Sequence, residues 1–205
     1  MPRLTVAQMN AHCGELVRLN KRFAPIIKAS PLCPIGRTKR TQTHFECMVD
    51  SIVSQQVATK AAQTVYNRIQ TAAGGELLPE TLAQLGERRL YECGLNSAKV
   101  KALQGLADAA LSGEVDFNRI ARLPDDAVIE QLTKLYGIGR WTAEMFLIFQ
   151  LGRIDVWPTG DLAVRRGWDM LHKNTEPISV KALEAHGESL RPIRSIAAWY
   201  CWRAS

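Results

Sequence analysis

The chain has 205 residues, of which 46% are hydrophobic and 22% charged, and its formal net charge is +6. These values are ordinary for a globular protein that can bury a core in one domain or in two small ones. No apolar run has the length of a membrane span, and Met1 to Asn10 lack the apolar stretch of a secretory signal. We therefore expect an intracellular protein with no membrane partner.

The cysteines and histidines give no sign of a metal site. The five cysteines at positions 13, 33, 47, 93 and 201 are scattered and include no Cys-x-x-Cys pair. Reduced thiols are the ordinary state of such residues inside a cell. The four histidines are equally scattered, so the sequence predicts no zinc site or other catalytic metal.

Helical spacing of apolar residues runs through the first half of the chain. Leu4 to Phe23 forms one such stretch, and Pro25, Pro31 and Pro34 then interrupt it. His44 to Ile69 contains two apolar helical faces, and the polar pair Gln55-Gln56 between them indicates a helix junction. Short helices follow at Pro79–Leu85 and Glu87–Tyr91, and a longer helix is capped by Ser97 and ends at Gly113.

The second half continues in the same way. A helix starts near Pro124 and carries Val128, Ile129, Leu132 and Leu135 on one face. Later helices are predicted at Trp141–Phe149, Leu162–Leu171, Ser179–Leu190 and Arg194–Arg203. Because no segment alternates as a β-strand does, the sequence predicts an all-α fold.

Gly137-Ile138-Gly139 separates two of these helices. Two glycines one residue apart are unfavourable inside a helix, and they suit a tight turn with positive φ. The amides of this turn open the next helix, so they are unpaired donors at the positive end of its dipole. Such donors favour an anion, usually phosphate, although a plain helix–turn–helix corner would have the same pattern.

Asp161 follows the turn Pro158-Thr159-Gly160 and precedes a helical run. An Asp in this position is first of all a helix N-cap. The helix N-terminus also favours the charged form of the carboxylate. The cap and a chemical role for the carboxylate are therefore compatible.

Leu135 to Ala143 reads Leu-Tyr-Gly-Ile-Gly-Arg-Trp-Thr-Ala, and Trp157-Pro158-Thr159-Gly160-Asp161 follows it. This order of hairpin, Gly/Pro loop and Asp resembles the helix-hairpin-helix (HhH-GPD) DNA glycosylase superfamily, and most of all its 3-methyladenine DNA glycosylase II branch. The resemblance spans residues 44 to 203. It implies two helical domains with a DNA-binding cleft between them, and a helix-hairpin-helix motif at about 128–149. Residues 41–155 would form the central domain, and residues 1–40 with 156–205 the second.

The resemblance also implies an activity. A monofunctional DNA glycosylase of base excision repair would flip an alkylated purine, such as 3-methyladenine or 7-methylguanine, out of damaged double-stranded DNA. It would then hydrolyse the N-glycosidic bond and leave an abasic site. Asp161 would be the catalytic residue, because a carboxylate stabilises the positive charge that develops on the sugar. A glycosylase for another lesion class and a non-catalytic DNA-binding protein are the alternatives.

Trp141 bears on the mechanism and on the base pocket. Bifunctional relatives have a Lys at this position, which forms a Schiff base with the sugar, and Trp cannot do so. We therefore expect no lyase activity. The indole would attract a cationic alkylated base. The base pocket implied by the resemblance consists of Trp141, Met145, Trp157 and Ile193, and Met145 and Ile193 make it less aromatic than in relatives.

The remaining implied sites are contacts with DNA. Gln55 and Gln56 resemble the loop that enters the minor groove, with Gln56 at its tip as the plug for the vacated space. The implied phosphate contacts are Gly137, Gly139, Arg140 and Thr142. The backbone carbonyls of Thr133, Leu135 and Gly137 would hold a structural Na⁺ or K⁺ ion. We expect no catalytic cofactor, no iron–sulfur cluster, since only Cys201 lies in the C-terminal region, and a monomer.

Overall fold

The computed structural model describes residues 3–205, which form helices and turns. Within this range there are eleven α-helices and no β-strand, which confirms the predicted all-α fold. The helices are α1 Val6–Leu19, α2 Ala24–Ala29, α3 His44–Ser54, α4 Thr59–Ala72, α5 Pro79–Glu92, α6 Ser97–Leu111, α7 Asp125–Thr133, α8 Arg140–Met145, α9 Leu162–His172, α10 Val180–Glu188 and α11 Arg194–Ala204.

The chain divides into two compact units. The central unit is Arg40–Phe146, and the terminal unit combines the segment that ends at Lys39 with Leu147–Ser205. The predicted helix Trp141–Phe149 is α8 followed by a π-helical turn at Phe146–Gln150. Such turns are rare and interrupt the regular hydrogen-bond pattern of a helix.

Side-chain caps explain where several helices begin. The cap residues of α1, α3, α6, α9 and α10 are Thr5, Thr43, Asn96, Asp161 and Ser179. Each accepts a hydrogen bond from a backbone N–H that has no partner within the helix. The predicted cap at Ser97 is wrong by one residue, because Asn96 Oδ1 accepts from the N–H of Lys99 at 2.9 Å. Ser and Asn cap about equally well, so two adjacent candidates cannot be separated by type.

Pro25 lies in a short helix that the sequence pattern did not predict. It lies in the first turn of α2, which runs to Ala29. A proline there has a suitable φ and lacks only an N–H that would have no helical partner. The predicted interruption at Pro25 is therefore wrong, because α1 already ends at Leu19 and Pro25 belongs to the next helix.

In the central unit, α6 packs against α3 and α5, α3 packs against α4, and α7 packs against α8. The buried face of α3 consists of the apolar residues that its periodicity predicts, which are Phe45, Met48, Val49, Ile52 and Val53. The hairpin turn also lies against α6, since a Cβ on Gly137 would be 3.0 Å from Cβ of Ala102.

In the terminal unit, α9 packs tightly against α11, which also contacts α1 and α2. The backbones of α9 and α11 touch at Gly167, where a Cβ would be only 1.9 Å from the carbonyl oxygen of Cys201. Glycine is therefore required at this crossing. Gly187 of α10 lies similarly close to the indole of Trp157. A Cβ at position 187 would be 2.4 Å from Cδ1 of that ring.

Nothing among the described helices has the combination of length and hydropathy that a bilayer span requires.

Candidate active site

Asp161 ends a tight turn and begins α9. Its N–H donates to the carbonyl oxygen of Pro158 at 3.0 Å, and its Oδ1 accepts from the N–H of Val164 at 2.9 Å. The side chain is the N-cap of α9, as predicted. Because Asp161 is only 8% exposed, its carboxylate lies at the positive end of a helix dipole with little water around it.

Trp202 is a second partner of this carboxylate, and the sequence analysis did not predict it. Its Nε1–H donates to Oδ1 of Asp161 at 3.2 Å. Its ring is tilted by 31° against the ring of Phe149, with 5.5 Å between centroids, and Phe149 is 54% exposed. The terminal unit thus presents an acidic group next to an aromatic pair that is partly open to solvent.

The segment that leads to Asp161 is fixed by the start of α11. Ser195 is fully buried. Its Oγ accepts from the N–H of Val156 at 2.8 Å and donates to the carbonyl of Val156 at 3.1 Å, and its own N–H donates to the carbonyl of Ile154. These bonds hold the chain a few residues before the carboxylate.

Two other carboxylates near this segment have structural partners. Asp155 accepts from Arg194 Nε at 2.7 Å and from Arg191 Nη1 at 3.0 Å. Asp169 accepts from the N–H of Ile178 and from the side-chain amide of Asn174. Their roles in holding loops distinguish them from the buried capping carboxylate.

The two glycines of the hairpin in the central unit have different backbone conformations. Gly137 has φ +80, and Gly139 is the extended N-cap of α8 with φ −91. The expectation of positive φ at both glycines is therefore wrong for Gly139. The turn is closed by the N–H of Ile138, which donates to the carbonyl of Leu135 at 3.2 Å. Gly137 and Gly139 are exposed, so their backbones are accessible to a ligand.

The two other predicted phosphate contacts differ in exposure. The Arg140 side chain is 70% exposed and donates from Nε to Oε1 of Glu144 at 2.9 Å. Glu144 itself is 4% exposed. This pair holds the guanidinium along α8 with one edge toward solvent. Thr142 is 6% exposed, so it has little surface for an external ligand.

The junction between α3 and α4 holds the two predicted plug residues. Gln55 is half-buried and donates from Nε2 to the carbonyl oxygen of Gly137 at 2.9 Å. Gln56 is exposed and has φ +56, which is unusual for a residue with a side chain. Lys99 Nζ donates to the carbonyl of Val53 at 2.7 Å, and burial lowers the pKa of the Lys99 ammonium.

The predicted cation ligands are backbone carbonyls, whose oxygens suit a hard cation. The carbonyl of Gly137 accepts from Gln55, and that of Leu135 accepts from the N–H of Ile138. A carbonyl oxygen has two lone pairs, so an oxygen that accepts one hydrogen bond has a second lone pair for a monovalent ion. The chemistry of this turn therefore fits a Na⁺ or K⁺ ion. Residues 3–205 hold no cluster of three or more His, Cys, Asp or Glu side chains suited to a metal.

The four predicted base-pocket residues lie in different surroundings. Trp141 in the central unit is 50% exposed, and Met145 is half-buried. Trp157 in the terminal unit is 7% exposed. Its Nε1–H donates to the carbonyl of Leu183 at 2.8 Å, and its ring meets Trp168 edge-on. Ile193 is 1% exposed. Trp141 therefore has the most surface for a ligand, and Trp157 has the contacts of a core residue.

The sequence pattern of the HhH-GPD superfamily of base excision DNA repair proteins matches residues 49–192. The matched span includes the α3–α4 junction, the hairpin and the capping Asp161. The chain belongs to the HhH-GPD superfamily.

Individual relatives extend this assignment over nearly the whole chain. DNA-3-methyladenine glycosylase 1 of Schizosaccharomyces pombe is 35% identical, over 93% of this chain and 85% of the relative. The crystal structure of a DNA-3-methyladenine glycosidase from Bacillus halodurans has a TM-score of 0.84 at 33% identity, covering 94% of this chain and 88% of that one. The 3-methyladenine DNA glycosylase of S. pombe in complex with abasic DNA has a TM-score of 0.76 at 32% identity, covering 95% and 94%.

Proposed function

We propose that this protein is a DNA glycosylase that removes alkylated purines, including 3-methyladenine and 7-methylguanine, from damaged double-stranded DNA. The observation that carries the proposal is the buried carboxylate of Asp161, capped onto α9 and hydrogen-bonded by Trp202. It lies in a chain of the HhH-GPD superfamily, and the relatives described above, which match over nearly their whole length, are named as glycosylases for 3-methyladenine. Such a carboxylate meets the electrostatic requirement of N-glycosidic bond cleavage.

The chemistry follows from where charge develops. As the bond between base and deoxyribose breaks, its electron pair leaves with the base and positive charge builds on the sugar. An alkylated purine is itself cationic, so it departs as a neutral base. The Asp161 carboxylate stabilises the cationic sugar until water adds to the anomeric carbon and loses a proton. The N–H of Val164 and the Trp202 N–H hold that carboxylate in place through two hydrogen bonds.

Trp202→Phe is expected to slow single-turnover release of 7-methylguanine by about tenfold, because a hydrogen bond to a charged group is lost while the ring remains against Phe149. The rate is measured with saturating enzyme on methylated duplex DNA. Trp199→Phe is the matched control, since this tryptophan of the same helix packs its ring on Tyr200 at 4.8 Å. Equal rates for the two variants would contradict a role for Trp202 in holding the carboxylate.

In the central unit, the hairpin would bind the DNA backbone. Gly137, Gly139 and Thr142 would offer backbone N–H groups to a phosphate, and Arg140 its charge. A Na⁺ or K⁺ ion held by the carbonyls of Thr133, Leu135 and Gly137 would supply further positive charge beside that phosphate. Gln56 would fill the space left by the flipped nucleotide. The exposed face of Trp141 would attract the cationic base, with Met145 of the same helix as an apolar neighbour. Trp157 and Ile193 of the terminal unit are pocket candidates from the resemblance alone.

The protein is also expected to lack strand-cleaving activity. A Schiff base with the sugar requires an amine, and position 141 of the hairpin motif holds Trp instead of Lys. Incubation with methylated or abasic DNA and sodium borohydride should leave no covalent protein–DNA complex on a denaturing gel. A bifunctional glycosylase treated in parallel is the positive control. A borohydride-dependent band with this protein would assign it a lyase mechanism.

Base release from a panel of lesion duplexes tests the proposal as a whole. Methylated DNA should release 3-methyladenine and 7-methylguanine, which chromatography detects, and should retain abasic sites in intact strands. Release from an oxidised-guanine or mismatch duplex alone would assign another lesion class. Binding to every duplex without base release would define a non-catalytic DNA-binding protein. Sizing the protein with and without DNA tests the expected monomer.

A further inference from the structure

The two adjacent glutamines of the α3–α4 junction have different contacts. Gln55 is turned inward, and its side-chain amide donates to the carbonyl of Gly137, 82 residues further along the chain. Gln56 is exposed and leaves the ordinary backbone region with φ +56. The resemblance places Gln56 at the tip of the loop, and the structure adds the contact that Gln55 makes.

We propose that Gln55 is a positioning residue, which clamps the α3–α4 junction to the hairpin turn, and that Gln56 alone enters DNA. This inference rests on the proposed function. A single carboxamide cannot donate to Gly137 and occupy the base stack at the same time. As long as the bond between Gln55 and Gly137 is formed, Gln55 therefore cannot be the plug.

The junction is supported at both ends. Before it, the carbonyl of Val53 accepts from Lys99 at the start of α6. After it, Gln55 reaches the hairpin, whose turn packs against the same helix through Gly137 and Ala102. Lys101 of α6 also lies over the ring of Tyr136 in that hairpin, 4.2 Å from its centroid. One helix thus carries both elements, and the Gln55 bond joins them directly.

This arrangement has a kinetic consequence. A non-glycine residue in the left-handed region is held there only by its surroundings, because that conformation is unfavourable in isolation. If the clamp opens, the junction can relax and Gln56 loses its fixed direction. Insertion would then require the loop to be ordered again during each encounter with DNA. Gln55 should therefore act on the reaction only through Gln56.

A double-mutant cycle tests this dependence. Gln55→Ala, Gln56→Ala and the double variant are compared in single-turnover release of 7-methylguanine from duplex DNA. We expect Gln56→Ala to slow release about tenfold, Gln55→Ala to slow it by a similar factor, and the double variant to be no slower than Gln56→Ala. Slowing by the product of the two single factors, or no effect of Gln55→Ala, would overturn the proposal.

A second measurement does not depend on catalysis. Duplex DNA with an abasic site and 2-aminopurine on the opposite strand reports insertion through the fluorescence of the displaced base. We expect wild-type protein to change this signal, and saturating Gln55→Glu protein to give the smaller change of Gln56→Ala. The Glu side chain has nearly the same size as Gln but no N–H to donate. A wild-type signal with Gln55→Glu would overturn the proposal.

Two controls separate the possible failures. Thermal unfolding midpoints of the variants should stay within about 4 °C of wild type, since one partly exposed neutral bond is removed. If wild-type protein released no methylated base, the proposed function would fail, and the fluorescence signal on abasic DNA would still decide the role of Gln55. If a Gln55 variant unfolded at the assay temperature, the bond from Gln55 to Gly137 would stabilise the fold as a whole and not the direction of Gln56, and the proposal would be wrong.

Discussion

Asp161→Asn protein should bind damaged duplex DNA with nearly wild-type affinity and release 3-methyladenine about 10²- to 10³-fold more slowly. The substitution removes the negative charge that would stabilise the sugar cation. It keeps an oxygen in the same place, so the bonds from the N–H of Val164 and from Trp202 Nε1 can persist. Single-turnover base release and DNA binding by fluorescence anisotropy, each on the same duplex, separate the two effects.

Two further variants show whether the charge is responsible. Asp161→Ala loses the cap as well as the charge, so its stability should fall by about 1 kcal/mol, whereas Asn caps a helix as well as Asp. Asp155→Asn is the matched change at a carboxylate engaged by Arg194. Release by Asp161→Asn at the wild-type rate would show that the reaction does not use this carboxylate.

Gly167→Ala should be strongly destabilising, by about 3 kcal/mol or more. The added Cβ would lie 1.9 Å from the carbonyl oxygen of Cys201 and 2.8 Å from its Cα, so α9 and α11 would have to move apart. Neither contact is with the flexible end of a side chain. Thermal unfolding followed by circular dichroism should show a midpoint lowered by roughly 6–12 °C.

Gly105→Ala is the control for this prediction. Gly105 also lies within a helix, α6, but a Cβ there would meet nothing within 4 Å. Alanine is the better helix former, so the change should stabilise the protein by up to about 1 kcal/mol. If both variants had the same midpoint, the close crossing of α9 and α11 would not describe the protein in solution.

Local features could be predicted from the sequence because short-range rules determine them. The cap at Asp161 follows from an Asp between a Gly and a helical run, and the break at Gly86 separates two predicted helices where φ is +64. Positive φ at Gly137 follows from the hairpin motif. The mistakes at Ser97 and Gly139 are also local. In each case two neighbouring residues could satisfy the same rule.

Contacts between distant segments could not be predicted. Trp202 lies 41 residues after the carboxylate that it holds, and the packing of α9 on α11 brings the two together. The bond from Gln55 to Gly137 spans 82 residues. Helical periodicity identifies the face that is buried, but it does not identify the partner of a polar side chain on that face. Proposals for the base pocket rest on resemblance for the same reason.

The crossing of α9 and α11 has a practical consequence for protein engineering. Cys201, whose carbonyl touches Gly167, is the immediate neighbour of Trp202, whose N–H reaches Asp161. A substitution that repacks this crossing will therefore displace the indole as well as the helix. A search for heat-tolerant variants should accordingly begin at helical positions with free space around the Cβ, such as Gly105. A substitution there can raise thermal stability without moving Trp202.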